Sequence, residues 1–383
     1  MDQLLVRGRG CLCRESLTGL MARTGMQRPL LVCSRRMQAD FAARTGMTLP
    51  LFCGYHPNPD LSDAAAGAEL YRAEGCDGLI SVGGGSAMDT AKAVKALLLT
   101  GDMEAVKASR LPDDMCLPHL AVPGTAGTGA EATPFAVVYV DGQKLSLDHP
   151  ALLPEAVLLD SALLDTLPLY HKKACAMDAL CQGVESFWAR QATAESRVHA
   201  EKAIRGVLTN LTAYLAGDAD AQDAMLDAAW ESGRAIRISR TTAAHAMSYQ
   251  LTKNLGYAHG HACMLTLPRL VIDMMLRREE GREVPDLTPL AEIIGVEDGW
   301  ELARILLGLL AELQMLPEKP VDGGLLTALV DSVNVQRLGN HPVPLTKAEL
   351  RSTYAGALQP LHEEAREAYA ALWRAYDEAH RRR

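Results

Sequence analysis

Hydrophobic residues in the first part of the chain fall into short uninterrupted runs separated by amphipathic stretches. The clearest runs cover residues 29–33, 78–82, 119–123 and 156–160. Short apolar runs of this kind are typical of parallel strands that are buried on both faces, with helices in the stretches between them. The pattern therefore predicts an α/β fold with a parallel, Rossmann-like sheet that extends to about residue 168.

The strand pattern fades after about residue 169, where long segments rich in Ala and Leu begin. Segments 174–190, 194–215 and 221–238 have helical periodicity and are interrupted by Gly and Pro. A chain of 383 residues is too long for one typical domain and suffices for two with sizeable cores. We therefore predict an α/β domain over residues 1–168, followed by an all-α helical domain over residues 169–383.

Composition and charge narrow the class of protein. Hydrophobic residues make up 48% of the chain and charged residues 22%, as in ordinary globular proteins rather than disordered ones. The net charge of −9 argues against a nucleic-acid partner, because phosphate binding relies on clustered Lys and Arg. No apolar run reaches the length of a membrane span. The sequence has nine cysteines, but it shows neither a secretory leader nor a repeated CxxC pair, so we expect the cysteines to be reduced thiols. We expect a cytoplasmic protein that binds neither membranes nor nucleic acid.

Three consecutive glycines, Gly83, Gly84 and Gly85, stand between a buried apolar run and a predicted helix. Glycines let a ligand approach the backbone closely, and a helix N-terminus offers free N–H groups to phosphate oxygens. The turn therefore predicts a pyrophosphate cradle of a dinucleotide-binding domain. Ser86 and Asp89 have the spacing of a capping pair, which predicts a helix start near Ser86. Because the spacing is not G-x-G-x-x-G, a tight strand-to-helix turn without a ligand is the alternative.

One carboxylate and two imidazoles in the second half form a candidate metal site: Asp178, His245 and His259. A mixed oxygen and nitrogen set holds a divalent ion such as Zn²⁺ or Fe²⁺ and leaves a coordination position open. An open position indicates catalysis rather than a structural metal. The alternative for Asp178 alone is a helix cap or a salt bridge.

Taken together, these motifs resemble those of the iron-containing alcohol dehydrogenases, the metal-dependent group III family. The resemblance is carried by residues 83–92, by residues 123–133, by Leu153-Pro154 and Leu159-Asp160, and by the fourteen-residue step from His245 to His259. It implies the fold shared with dehydroquinate synthase, an NAD(P)H cofactor, a bound Fe²⁺ or Zn²⁺ ion, and assembly into at least a homodimer.

The resemblance also assigns roles around the metal. Gln182, one helical turn after Asp178, stands where the family usually has a histidine ligand, and we expect its carbonyl oxygen to assist three stronger ligands. Tyr249 stands where a histidine near the nicotinamide is common, and we expect it to pass a proton or to pack as a buried aromatic residue. For His261 we expect a proton relay or a turn.

Cofactor residues follow from the same resemblance. Three positions match those that line the nicotinamide and ribose in the family, Thr125, Thr128 and Lys144, and Thr133 is a further candidate for the same lining. Ser34 follows the apolar run at 29–33, and enzymes selective for NAD usually place an acid at this position to bind the ribose 2′-hydroxyl. Because Arg35 and Arg36 come next instead, we expect NADPH to be tolerated or preferred; solvated charges at a helix start are the alternative.

Basic and hydroxyl side chains precede His245. Arg237 and Arg240, with Thr241 and Thr242, would supply forked guanidinium and hydroxyl donors suited to phosphate or phosphonate oxygens. They predict a small anionic substrate, with Lys253, Asn254 and His149 as further candidates. The alternative is that these arginines pair with acids such as Glu231 or face solvent.

Residues 144–150 with 153–154, residues 178–182 with 185–188, and residues 240–249 resemble the branch of the family that contains phosphonoacetaldehyde reductases. The branch implies reduction of phosphonoacetaldehyde to 2-hydroxyethylphosphonate, by hydride transfer from reduced nicotinamide to a metal-polarised carbonyl. Three alternatives stay open: a broad short-chain alcohol or aldehyde dehydrogenase, a lyase similar to dehydroquinate synthase, and a non-catalytic cofactor-binding protein.

Overall fold

The chain divides into two compact units, Met1–Leu167 and Pro168–Arg383. The computed structural model describes residues 3–113, 116–333 and 335–381. The described residues of the first unit form eight strands, β1 (Leu4–Arg7), β2 (Pro29–Cys33), β3 (Leu51–Phe52), β4 (Gly78–Gly83), β5 (His119–Pro123), β6 (Phe135–Val140), β7 (Gln143–Asp148) and β8 (Ala156–Leu159). Its helices are α1 (Arg14–Thr24), α2 (Arg35–Thr45), α3 (Leu61–Ala73), α4 (Gly85–Thr100) and α5 (Met103–Lys107).

Six of these strands form one parallel sheet in the order β1-β8-β5-β4-β2-β3. Successive residues of a strand point to opposite faces. On β2, Leu30 and Val32 enter one apolar cluster, whereas Leu31 and Cys33 enter a second. Because both faces are covered, the strand is apolar at every position, and the predicted parallel α/β sheet is confirmed.

The strands β6 and β7 form an antiparallel hairpin that the apolar runs do not predict. Its turn residues, Asp141 (φ 51°) and Gly142 (φ 74°), both have the positive φ that a two-residue type I′ turn requires. Lys92 on α4 is fully buried and donates hydrogen bonds to the carbonyl oxygens of Ala130 and Phe135, each at 2.7 Å. These bonds fasten the start of the hairpin to α4.

The second unit is helical over its described residues, as predicted. Its helices are α6 (Leu169–Trp188), α7 (Ala194–Leu215), α8 (Ala219–Ser239), α9 (Ala243–Leu255), α10 (His259–Glu279), α11 (Thr288–Ile294), α12 (Gly299–Glu312), α13 (Gly323–Asp331), α14 (Val335–Leu338), α15 (Lys347–Ala357) and α16 (Glu363–Arg381). Helix α6 packs against α7, α8 and α10, so it lies in the core of the unit. Within the described parts of the chain, no helix has both the length and the apolar character needed to cross a membrane.

Helix α15 begins with a reciprocal capping box. The hydroxyl of Thr346 accepts a hydrogen bond from the backbone N–H of Glu349, and the Glu349 carboxylate accepts one from the backbone N–H of Thr346. Partial burial raises the pKa of Glu349, but the bonds from Thr346 and the guanidinium of Arg277 lower it more, to about 2. The carboxylate therefore stabilises the folded chain in its ionised form.

Candidate active site

The glycine-rich turn after β4 leads directly into α4. The helix begins at Gly85, and Gly84 is its extended N-cap residue (φ −81°, ψ −171°). The capping pair predicted for Ser86 and Asp89 is wrong, because Ser86 already lies inside the first turn and Asp89 accepts a hydrogen bond from the backbone N–H of Val137 at 3.1 Å. Among the described residues, no side chain caps this helix start. Its amide groups are thus of the kind that bind anions in other proteins.

Backbone conformation favours glycine at position 83, and close packing favours it at position 84. Gly83 has a φ of 145°, which L side chains rarely adopt. A Cβ atom on Gly84 would lie 3.3 Å from the Thr125 side chain, and one on Gly85 would lie 3.4 Å from the Thr128 side chain. The two threonines follow β5, the parallel neighbour of β4. The structure thus brings five of the predicted cofactor residues together at the carboxyl ends of adjacent strands, where open α/β sheets bind ligands.

The other predicted cofactor residues are spread more widely in the first unit. Ser34 is the N-cap of α2, and its hydroxyl accepts a backbone hydrogen bond there. Arg35 and Arg36 are exposed at the start of that helix. Thr133 is buried and its hydroxyl belongs to the hydrogen-bond network at the start of the hairpin, whereas Lys144 lies half-buried on β7.

Three helices of the second unit bring the predicted metal ligands together. Asp178 comes from α6, His245 from α9 and His259 from the first position of α10, and Cys263 joins them from the next turn of α10. One ligand atom from each of the four lies within 4.8 Å of those of the others. The Nε2 atoms of His245 and His259 are 3.3 Å and 4.0 Å from Asp178 Oδ1, and Cys263 Sγ is 3.9 Å from His259 Nε2.

A glycine makes this convergence possible. A Cβ atom on Gly260 would lie 2.1 Å from the carbonyl oxygen of Ala174 and 2.6 Å from Asp178 Cβ, which is far inside van der Waals contact. Only a glycine therefore lets the start of α10 lie directly against α6. The same contact places His259 and Cys263, on either side of Gly260 in sequence, beside Asp178.

A buried carboxylate orients His245. Glu185 is fully buried on α6, and its Oε2 pairs with Nδ1 of His245. Its Oε1 accepts hydrogen bonds from the backbone N–H of Thr242 at 3.1 Å, the Thr242 hydroxyl at 2.6 Å and the N–H of Ala244 at 2.8 Å. Glu185 thus caps the N-terminus of α9 from another helix and holds a proton on Nδ1, which leaves Nε2 as the ligand atom.

The atoms that face one another in this cluster fit a metal ion. Among the described residues, neither Asp178 Oδ1 nor His245 Nε2 has a hydrogen-bond partner, although both atoms are buried. Nδ1 of His259 lies 3.3 Å from the Ser248 hydroxyl, so its Nε2 is also left for the cluster. Buried polar atoms are almost always paired, and a divalent ion would satisfy these atoms at once.

The pKa shifts of the cluster residues also fit a metal site. Burial raises the pKa of Asp178, but His259 and His245 lower it more, so the carboxylate is ionised. Burial also raises the pKa of the Cys263 thiol, but the two imidazoles bring it down to about 7. The pKa of His245 moves in the opposite sense, because Cys263 and Glu185 raise it well above its ordinary value despite burial. A divalent ion that binds here would therefore compete with protons for these atoms.

The structure places Gln182 and Tyr249 around the cluster. Gln182 is buried one turn after Asp178, and its Oε1 accepts a 2.7 Å hydrogen bond from the Ser232 hydroxyl on α8. The ring of Tyr249 stacks on that of His259, with 6.2 Å between centroids and 3° between planes. Burial raises the pKa of Tyr249, which keeps its phenol protonated at neutral pH.

His261 lies in helix α10 rather than in a turn. Its Nδ1 is 3.0 Å from the Tyr170 hydroxyl and its Nε2 is 2.6 Å from the carbonyl oxygen of Met315, so both ring nitrogens are engaged away from the cluster. Burial lowers the pKa of His261 to about 4, and the imidazole is neutral. These contacts favour a packing role, and proton relay through His261 stays a prediction.

Among the arginines, the structure points to one that the sequence reasoning missed. The guanidinium of Arg240 donates to the carbonyl oxygen of Arg237 at 3.1 Å, and Arg237 itself lies half-buried near the end of α8. Arg337 on α14 lies over the ring of Tyr249, 5.5 Å from its centroid, and donates to the Thr241 hydroxyl at 3.4 Å. A guanidinium thus lies on the ring that stacks against a predicted metal ligand.

Glu185 and Cys263 were also missed as site residues, although helical spacing contained a signal for both. Glu185 follows Asp178 by seven residues, and Cys263 follows His259 by four, so each pair shares one face of a helix. Arg337 offered no comparable signal, because it lies far along the chain from the other site residues.

Comparisons with known proteins agree with this geometry. The family model for iron-containing alcohol dehydrogenase matches residues 4–161, and the model for the C-terminal region of the same family matches residues 173–311. A phosphonoacetaldehyde reductase from Streptomyces viridochromogenes is 39% identical over 229 residues, which are 56% of this chain and 58% of that protein. A probable alcohol dehydrogenase, EutG, from Escherichia coli is 33% identical over 59% of each chain. The matches to these two relatives thus span less than two thirds of their length.

A solved structure is similar over a larger share of the chain. The sulfoacetaldehyde reductase from Bifidobacterium kashiwanohense in complex with NAD⁺ superposes with a TM-score of 0.82 at 26% identity, covering 94% of this chain and 98% of that one. An iron-containing alcohol dehydrogenase superposes with a TM-score of 0.79 at 27% identity over the same shares. Family models on both units, the shared fold and the convergence of the three predicted ligands agree, and the chain belongs to the iron-containing alcohol dehydrogenase family.

Proposed function

We propose that this protein reduces a small anionic aldehyde to its alcohol, with NAD(P)H as hydride donor and a divalent metal, and that phosphonoacetaldehyde is its substrate. The observation that carries the proposal is the cluster of Asp178, His245 and His259, in which the buried atoms Asp178 Oδ1 and His245 Nε2 have no hydrogen-bond partner among the described residues and the His259 imidazole lies beside them. A divalent ion bound there would act as a Lewis acid on the aldehyde oxygen and stabilise the developing alkoxide.

The residues of the second unit would position the ion and the substrate. Glu185 and Ser248 hold the Nδ1 atoms of His245 and His259, so that both Nε2 atoms are directed at the ion. The Tyr249 ring lies parallel to that of His259 and so stands next to the ion. Its protonated phenol is a hydrogen-bond donor for the product oxygen, with proton return through water.

Preference for an anionic aldehyde is supported from two sides. The phosphonoacetaldehyde and sulfoacetaldehyde reductases to which the chain is similar are both named for aldehydes with an acidic head group of several oxygens. In this chain, Arg337 lies over the Tyr249 ring and next to the Thr241 hydroxyl, and its guanidinium is a forked donor of the kind that such oxygens accept. Arg240 and Arg237 stay candidates for the same role.

The start of α4 and the adjacent turn after β5 would hold the pyrophosphate of the cofactor. Ser34 follows β2 directly and is followed by Arg35 and Arg36, so no acidic side chain at these positions would repel a 2′-phosphate. We therefore expect NADPH to be used at least as well as NADH. A kcat/KM for NADH that greatly exceeds the value for NADPH would refute this part.

The test compares phosphonoacetaldehyde with propionaldehyde, an uncharged aldehyde of similar size, using metal-replete enzyme and each nicotinamide. We expect kcat/KM to favour the phosphonate by about a hundredfold, roughly 2.7 kcal/mol of transition-state discrimination. Arg337→Gln should remove most of this preference, whereas Arg234→Gln, which disrupts an arginine stacked on Trp230, should keep it. Equal use of propionaldehyde would indicate a broad alcohol dehydrogenase, and cofactor binding without turnover of either aldehyde would indicate a non-catalytic protein.

A further inference from the structure

The fourth member of the cluster is a thiol that no part of the proposed function uses. Cys263 is fully buried, and its Sγ lies within 4.8 Å of the ligand atoms of Asp178, His245 and His259. The sulfur is 3.9 Å from His259 Nε2, the atom that the Ser248 contact leaves for a metal. Its position one helical turn after His259 directs both side chains to the same side of α10.

The residue expected to supply a fourth ligand is engaged elsewhere. Gln182 follows Asp178 by one turn of α6, but the Ser232 hydroxyl donates to its Oε1 at 2.7 Å, which directs that oxygen toward α8. The amide is buried and fixed by this bond. Cys263 on α10 can therefore take the ligand position that Gln182 on α6 does not fill.

We propose that Cys263 is the fourth protein ligand of the metal, so that the site is Asp-His-His-Cys rather than a set of oxygen and nitrogen donors alone. The inference rests on the metal site of the proposed function and deepens it. On binding, the thiol loses its proton to solvent and the sulfur donates an electron pair to the ion. The metal changes neither charge nor oxidation state in this step.

Two consequences follow from a thiolate ligand. The carboxylate of Asp178 and the thiolate of Cys263 together balance the two positive charges of the ion, so the ion and its four ligands carry no net charge. Thiolate is also a softer donor than the amide oxygen of Gln182, and it shifts the preference of the site toward zinc and away from magnesium or manganese.

Cobalt(II) is a suitable probe, because a thiolate bound to it gives a charge-transfer band in the near ultraviolet that oxygen and nitrogen ligands do not give. We expect the full-length protein loaded with one equivalent of Co²⁺ to show this band and Cys263→Ser to lose it. Cys181→Ser is the matched control, because Cys181 is a buried thiol on α6, 3.7 Å from Met264 Sδ, and lies outside the four-residue cluster. This variant should keep the band.

Zinc affinity, measured by competition with a chromogenic chelator, gives an independent readout. Cys263→Ser should bind zinc at least about tenfold more weakly than the parent protein, since even the loss of an outer partner of a ligand costs that much. Gln182→Ala should bind within a few-fold of the parent. Circular dichroism and thermal melts of each variant establish that it is folded before binding is compared.

The outcomes separate the two proposals. Visible cobalt d–d bands without a charge-transfer band in the parent protein would overturn the role of Cys263 and leave the metal site intact. Loss of the charge-transfer band in Cys181→Ser but not in Cys263→Ser would overturn it as well, as would weaker zinc binding in Gln182→Ala alone. If the folded parent protein binds no cobalt or zinc, both the metal site and the inference built on it fail.

Discussion

Glu185→Gln is the substitution that most sharply separates metal positioning from simple packing. The glutamine keeps the size of the side chain but turns one carboxylate oxygen into an N–H₂ donor. In the parent, Oε1 accepts three hydrogen bonds from Thr242 and Ala244 at the start of α9, and Oε2 pairs with His245 Nδ1. If the N–H₂ group of the glutamine faces His245, it donates to Nδ1, and the imidazole proton moves to Nε2. A proton on Nε2 blocks the atom that would bind the metal.

In the opposite orientation, the N–H₂ group of the glutamine faces the two backbone N–H groups and the hydroxyl that donate to Oε1 in the parent. The first orientation thus places a proton on the ligand atom Nε2, the second removes the acceptor of three hydrogen bonds, and both remove the negative charge of Glu185. Loss of an outer partner typically weakens metal binding by 10–100-fold, or about 1.4–2.7 kcal/mol. Removal of one partner of a buried charged pair costs roughly 3 kcal/mol of stability. We therefore expect weaker zinc binding together with a lower Tm of the metal-free protein.

A second buried pair provides the control. Glu231 pairs with Nδ1 of His199 in the same unit, and both side chains are largely buried, but neither belongs to the metal cluster. Glu231→Gln should lower the Tm while zinc affinity in a chelator competition assay stays at the parent value. Zinc binding by folded Glu185→Gln as tight as in the parent would refute the role assigned to Glu185.

Three further predictions follow from the same structure. Zinc affinity should rise with pH through the range around pH 7, because the ion must displace protons from His245, whose pKa is raised, and from Cys263, whose pKa is about 7; titration calorimetry at several pH values checks this, and a flat profile contradicts it. Gly260→Ala should lower both zinc content and Tm, because the added methyl group would lie 2.1 Å from a backbone oxygen of α6. Metal analysis and a thermal melt check this, and unchanged values of both would contradict the packing described here. The pKa of Glu349, about 2 in the folded chain, lies below its ordinary value in the unfolded chain. The unfolded state therefore binds more protons as the pH falls from about 5 toward 2, and stability is lost over that window. Denaturant unfolding of Glu349→Gln should show a shallower loss there, and equal slopes in the two proteins would count against the assignment.

Much of the fold follows from local hydrophobic pattern. The strands at 29–33, 78–83 and 119–123 are buried at every position and largely apolar, because helices cover both faces of the sheet. The strands β1 and β3 lie at the sheet edges and have only four and two residues, too few to give a pattern. The hairpin has a signal in Asp141-Gly142, between two alternating segments, that the apolar runs alone overlook.

The candidate site divides in a similar way. Asp178, His245 and His259 could be named from residue type and spacing, because metal chemistry restricts the side chains that can serve. Glu185 and Cys263 could not, because their roles depend on which faces of α6, α9 and α10 meet. That choice is made by packing, in which Gly260 is decisive.

The capping pair failed for a related reason. The spacing of Ser86 and Asp89 fits a helix start, but Gly84 precedes them and takes the extended N-cap conformation itself. Ser86 therefore has no cap to form, and the Asp89 carboxylate is used by the hairpin instead. Residue spacing in the sequence shows which residues could cap a helix. Which residue does so depends on how the turn packs against the residues after β5.

The most direct test of the account is turnover of phosphonoacetaldehyde with NADPH by enzyme stripped of metal and then reloaded. We predict no turnover after removal of the metal and full recovery with one equivalent of zinc or ferrous iron. His245→Ala should bind the cofactor and stay inactive under the same reloading. Undiminished turnover by metal-free enzyme, or by His245→Ala, would contradict the central claim that Asp178, His245 and His259 hold a catalytic metal.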